Sequence, residues 1–153
     1  VNGVYKQSLA DQKIEYLRFQ TQPTILNNIL WYGTAETNEA YYVGFYSILD
    51  AEATVSKWHK LPKNHELIGG MPKDLETLAW FSSGFYNLNE TADPDTFLFK
   101  DLRYPLMDES DPNSSVFKFT ITKKGDRWEA APFYASDVSS DALDSFWTRI
   151  KGI

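Results

Sequence analysis

Two runs of alternating residues, Ile29 to Ala35 and Ala40 to Leu49, are separated by Glu36-Thr37-Asn38-Glu39. β-branched and aromatic side chains fill both runs, and a four-residue polar break is the length a hairpin loop takes. This hairpin constrains the chain most, because its period of two puts Tyr42, Gly44 and Tyr46 on one face and Tyr41, Val43 and Phe45 on the other. One face is apolar and the other carries tyrosines, so both need cover or a ligand. The aromatic content of 16% extends the same demand along the chain.

Around the hairpin the pattern changes period. Leu9, Ala10, Ile14 and Leu17 recur at helical steps, which predicts an amphipathic helix over 5–19 that Pro23 stops. Thr54 to Leu61 reads as a third strand ending at Pro62, which lacks the N–H a ladder would use. Gly69-Gly70 punctuate the chain. Pro72 then opens a second helix with Met71, Leu75, Leu78 and Ala79 on one face, Asp74 and Glu76 in its first turn and Gly84 as its stop.

Four further strands follow, at 85–89, 96–103, 116–123 and 127–133, with a loop over 107–115. Leu143, Phe146, Trp147 and Ile150 fall at i, i+3, i+4 and i+7, which predicts a last helix with Ser140 as N-cap and Gly152 beyond its end. The expected fold is α+β: one antiparallel sheet of six to seven strands, with an N-terminal, a central and a C-terminal helix on one face. The length of 153 residues suits a single domain over 1–153. Val43-Gly44-Phe45-Tyr46-Ser47 resembles Ser83-Gly84-Phe85-Tyr86-Asn87, but the flanking residues do not repeat, so chance likeness is favoured over duplication.

The net charge of −6 argues against a nucleic-acid partner, since binding a phosphate backbone takes clustered Lys and Arg. With no cysteine there is no thiolate nucleophile or ligand. His59 and His65 lie six apart, off the spacing of a helical zinc motif, and no metal site is expected. The loop acids Asp108, Glu109 and Asp111 lack the glycine and terminal glutamate of an EF-hand and read as a solvated turn. No nucleophile elbow or phosphate loop is present. Candidate ligand-binding residues are therefore Trp31, Tyr42 and Tyr46 on the hairpin, His59, and the pair Asp101 and Arg103. That pair stands two apart on an expected strand, where a salt bridge is favoured over a ligand site.

Five segments, in order, carry a family resemblance: Pro23 to Trp31, Tyr41 to Asp50, Leu61 to Leu67, Phe81 to Tyr86, and Phe99-Lys100-Asp101-Leu102-Arg103-Tyr104. Together they resemble the C-terminal region of the LexA-regulated, inner-membrane YdjM-type family of bacterial membrane-bound metal-dependent hydrolases. The resemblance implies a longer protein in which this chain is a soluble accessory domain without a catalytic motif, held at the bacterial inner membrane. Its partner would be the membrane part of the same polypeptide, any divalent metal would belong to that part, and this chain would carry no cofactor. The alternatives are a stand-alone hydrolase or small-molecule-binding enzyme using Asp101, Arg103, Tyr42 and His59 on a concave sheet face, and a protein-interaction module using an exposed aromatic patch.

Overall fold

The computed structural model describes residues 1–24, 27–109, 111, 114–133 and 140–152, with the backbone alone at 140, 142 and 143. The N-cap role of Ser140 and the place of Leu143 in the apolar stripe thus lie outside the described side chains. Residues 25, 26, 110, 112 and 113 of the motifs above also lie outside the description.

The chain is α+β, but its strands form two sheets of four rather than one of six to seven. Helix α1 (Asn2–Asp11) precedes strands β1 (Arg18–Pro23), β2 (Leu30–Glu36), β3 (Ala40–Ser47) and β4 (His59–Pro62), which pair antiparallel in sequence order. A short 3-10 turn (His65–Leu67) and helix α2 (Lys73–Phe81) lead into β5 (Tyr86–Glu90), β6 (Thr96–Asp101), β7 (Lys118–Lys124) and β8 (Arg127–Pro132), a second antiparallel meander. Helix α3 (Ser140–Ile150) follows.

The sheets adjoin where β4 runs out. Leu88 N–H donates to Lys63 O at 3.0 Å, and the Asn87 and Asn64 side-chain amides donate to Pro62 O and Leu88 O. Pro62 has no N–H and Asn64 turns left-handed at φ 53°, so the ladder does not continue. That is why one expected sheet becomes two.

The expected helix over 5–19 is also corrected. It ends at Asp11, Lys13 takes a left-handed φ of 55°, and Leu17 N–H bonds to Glu36 O on β2 at 2.7 Å. The residues beyond become β1, an edge strand that tolerates Pro23 at its end. The strand expected over 54–61 starts only at His59, because Val55 N–H is taken by Ser8 Oγ of α1 at 2.8 Å.

The helices do not share a face. Tyr5 of α1 packs with Tyr46, Val55, Trp31 and Trp58 on one side of the first sheet. Phe146 and Ile150 of α3 pack with Leu30, Tyr32 and Phe45 on its other side. Leu75 and Leu78 of α2 cover Tyr86, Leu88 and Phe99 of the second sheet, and Asp74 Oδ2 accepts from Ala130 N–H at 2.9 Å on edge strand β8. A helix followed by four strands thus occurs twice. The two look-alike segments do not mark it, because 43–47 lies within β3 whereas 83–87 is the turn into β5.

Gly33 and Gly44 face each other across β2 and β3. A Cβ on Gly33 would lie 2.2 Å from the Tyr5 ring, and one on Gly44 would lie 2.6 Å from Val55 and 2.9 Å from Lys57 O. The glycines open a seat in the sheet that the Tyr5 ring fills, with its hydroxyl donating to Trp31 O at 2.9 Å. Gly33→Ala is expected to cost about 1–3 kcal/mol through overpacking. Urea unfolding at constant slope measures it, and the Gly33→Ala/Tyr5→Leu double variant should lose less than the two single changes summed.

Candidate functional site

Asp101 ends β6 with no solvent exposure. Its Oδ1 accepts from Arg103 N–H at 3.1 Å and Nε at 3.0 Å, and its Oδ2 accepts from Nη2 at 2.7 Å. The expectation that both residues stand on one strand face is corrected, because Arg103 lies past the strand end in a turn. The two charges pair with each other through a fork of bonds. The hydrogen bonds to Asp101 raise the pKa of Arg103, so it stays a cation.

The guanidinium is also flanked by rings. Its carbon lies 5.0 Å from the Phe81 centroid and 5.4 Å from that of Tyr104, and the Tyr104 ring lies tilted against Phe117 with centroids 4.2 Å apart. Phe81 at 47%, Phe117 at 40% and the neighbouring Trp80 at 80% exposure leave this end of α2 and the approach to β7 rich in solvent-facing aromatic surface. Arg103 therefore presents a positive group already fixed in orientation, with Nη1 not used by Asp101.

The other sequence candidates do not gather around it. Trp31 Nε1 donates to Asn28 O at 3.1 Å, and Tyr46 is buried edge-on against Tyr5 at 6.4 Å, both on the α1 side of the first sheet. Tyr42 is half-buried and lines a groove of about 560 Å³ with Gln12, Tyr16 and Lys60. His59 pairs across from Val43 while Tyr42 pairs with Lys60, so His59 and Tyr42 point to opposite faces. His59 is buried, and among the described residues its Nε2 has no hydrogen-bond partner. Among the described residues no group of three His, Cys, Asp or Glu side chains could hold a metal ion. No helix of the described residues is long and apolar enough to cross a membrane.

A second polar centre was not singled out from the sequence. Arg149 of α3 grips Asp50 with Nη1 to Oδ1 at 2.6 Å and Nη2 to Oδ2 at 2.9 Å, and its Nε lies 2.8 Å from Glu109 Oε2. Ser47 Oγ donates to Ile150 O at 2.8 Å beside it. Burial pushes the Glu109 carboxyl above its ordinary range against the pull of Arg149. One signal was available: Arg149 sits between Phe146 and Ile150 on the edge of the apolar stripe, where a cation needs a carboxylate partner. No protein-family model, curated protein or solved structure matches the chain.

Asp101→Asn leaves Arg103 without its counter-charge and is expected to cost about 2–3 kcal/mol, at the lower end for a broken pair because the Arg103 side chain is 21% exposed. Arg103→Lys keeps the charge but loses the fork and the ring contacts, so it should not restore wild-type stability in thermal unfolding.

Burial lowers the pKa of both His59 and His65 below the ordinary 6.5, His65 while bonded to Tyr86 O and stacked on the Tyr86 ring at 4.1 Å. The unfolded chain then binds more protons than the folded one just below that value, so stability is full above it and is lost as pH falls. Between about pH 7.5 and pH 5.5, urea unfolding should show wild type losing more stability than His59→Phe/His65→Phe.

Proposed function

We propose that this chain is a non-catalytic binding module, the soluble accessory domain of a bacterial membrane-bound metal-dependent hydrolase. It docks on the membrane part of its own polypeptide through the face around Arg103. The observation that carries this reading is a buried carboxylate spent on fixing one arginine between aromatic rings, next to exposed Trp80, Phe81 and Phe117. Arg and aromatic anchors of this kind dominate protein interfaces, because fixed groups lose little entropy on binding. Two of the segments that resemble the YdjM-type family, Phe81 to Tyr86 and Phe99 to Tyr104, contribute to this same face. The preferred counterpart is a surface offering a carboxylate to Nη1 within apolar surroundings.

A hydrolytic site in this chain is the weaker reading, because Asp101 and Arg103 neutralise each other and Tyr42 and His59 lie on opposite faces. The chain has no cysteine, so single replacements give unique labelling sites. In the full-length polypeptide in membranes, maleimide should label Trp80→Cys and Phe117→Cys at least about tenfold more slowly than in the separate chain, while exposed Asp126→Cys reacts equally in both. Equal labelling at all three positions overturns the docking face. Turnover of esters or phosphoesters by the separate chain, dependent on an added divalent metal, overturns the non-catalytic assignment.

A further inference from the structure

The Arg149 centre forms one wall of an open cleft of about 410 Å³ between the 50–57 segment, Glu109 and the end of α3. Its lining includes Glu52, Ser56 and Lys57 as well as Arg149, Glu109 and Gly152. Arg149 is largely spent inside the wall: two of its nitrogens hold Asp50, one also reaches Phe45 O, and the third holds Glu109. The wall is therefore braced before any ligand arrives. Four groups remain for a ligand, since among the described residues Lys57 Nζ, Ser56 Oγ, Glu109 Oε1 and the Glu52 carboxylate have no hydrogen-bond partner.

These groups carry both signs. A simple anion would meet Lys57 but would also face Glu52 and Glu109. A simple cation would meet those carboxylates and face Lys57. A flat sugar or base would find no aromatic ring among the lining residues. A solute with an ammonium and a carboxylate a few bonds apart satisfies both sets at once, and the open cleft has ample room to admit it. We propose that the cleft binds a small zwitterion of the α-amino-acid type, its carboxylate on Lys57 and Ser56 and its ammonium on Glu109 and Glu52.

The test is an amide-resolved NMR titration of the whole chain with free amino acids, beginning with serine, and with N-acetylserine and serine methyl ester. Saturable shifts at Ser56, Lys57 and Gly152 are expected for the free amino acid, with at least about tenfold weaker binding of each blocked form. Lys57→Gln, at a solvent-lined position, should weaken binding by a similar factor while leaving the spectrum folded. Equal binding of N-acetylserine would make this a plain anion site, and equal binding of the ester a plain cation site. Either result overturns the proposal, as does the absence of saturable shifts across the proteinogenic amino acids. The two ligand comparisons use the unmodified protein and do not depend on any variant folding.

Discussion

Both backbone polar groups of Leu102 are used at the joint between the sheets: its N–H donates to Phe85 O at 2.8 Å, extending the β5–β6 pairing by one step, and its C=O crosses to accept from Thr34 Oγ1 of β2 at 2.9 Å. Its side chain is fully buried among residues of the first sheet, although β6, which it follows, belongs to the second. A residue held from three directions fixes its neighbours. Asp101, one step back, is sealed inside, and Arg103, one step on, emerges at the surface with its guanidinium tied to that carboxylate. The fixed orientation of Arg103 is thus a by-product of joining two sheets. The joint continues through the 82–85 turn, where Ser83 and Gly84 adopt φ of 54° and 75°, and Tyr41 Oη donates to Gly84 O at 2.7 Å.

The aromatic side chains divide between the core and the surface. Tyr5 and Tyr41 are buried with each hydroxyl donating to a backbone carbonyl across the fold, and burial holds both phenols well above their ordinary pKa. Tyr86 and Phe99 stack at 4.7 Å beneath α2, with His65 continuing the stack over Tyr86. Trp80 and Trp147 remain outside, so high aromatic content here reflects both a core and an exposed surface. The tyrosine-bearing hairpin face is covered rather than empty, since α1 lays Tyr5 over the glycine pair between Trp31 and Tyr46.

Features with a local cause were legible in the sequence. The hairpin, the second helix, the last helix and the four later strands follow from period and turn chemistry within each segment, and the structure places them within a few residues of their expected ends. What failed had a cause far along the chain. Ile14 and Leu17 continue a helical period, but β2 competes for the backbone of the segment after them and draws it into an edge strand. Thr54 to Lys57 have strand-like composition, but Ser8 takes the Val55 amide first. The division into two sheets rests on a proline and one left-handed asparagine at the seam, which mark a turn in the sequence without saying that pairing ends there.

The two arginine centres show the same limit in the chemistry. Asp101 and Arg103 are two residues apart, so reading the sequence brought them together even while placing them on the wrong element. Arg149 and Asp50 are separated by 99 residues, and nothing in either neighbourhood names the other. Yet the distant pair does more for the architecture, because it fastens α3 to the turn after β3 together with the Ser47 bond at the helix end. Much of α3 is otherwise solvent-facing, with only Phe146 and Ile150 of its described side chains packed against the first sheet. A helix so lightly buried gains little from apolar contact alone, and its position depends on a charge network that must stay desolvated on one side and open to the cleft on the other. Docking of the last helix and the character of the cleft are therefore set by the same guanidinium.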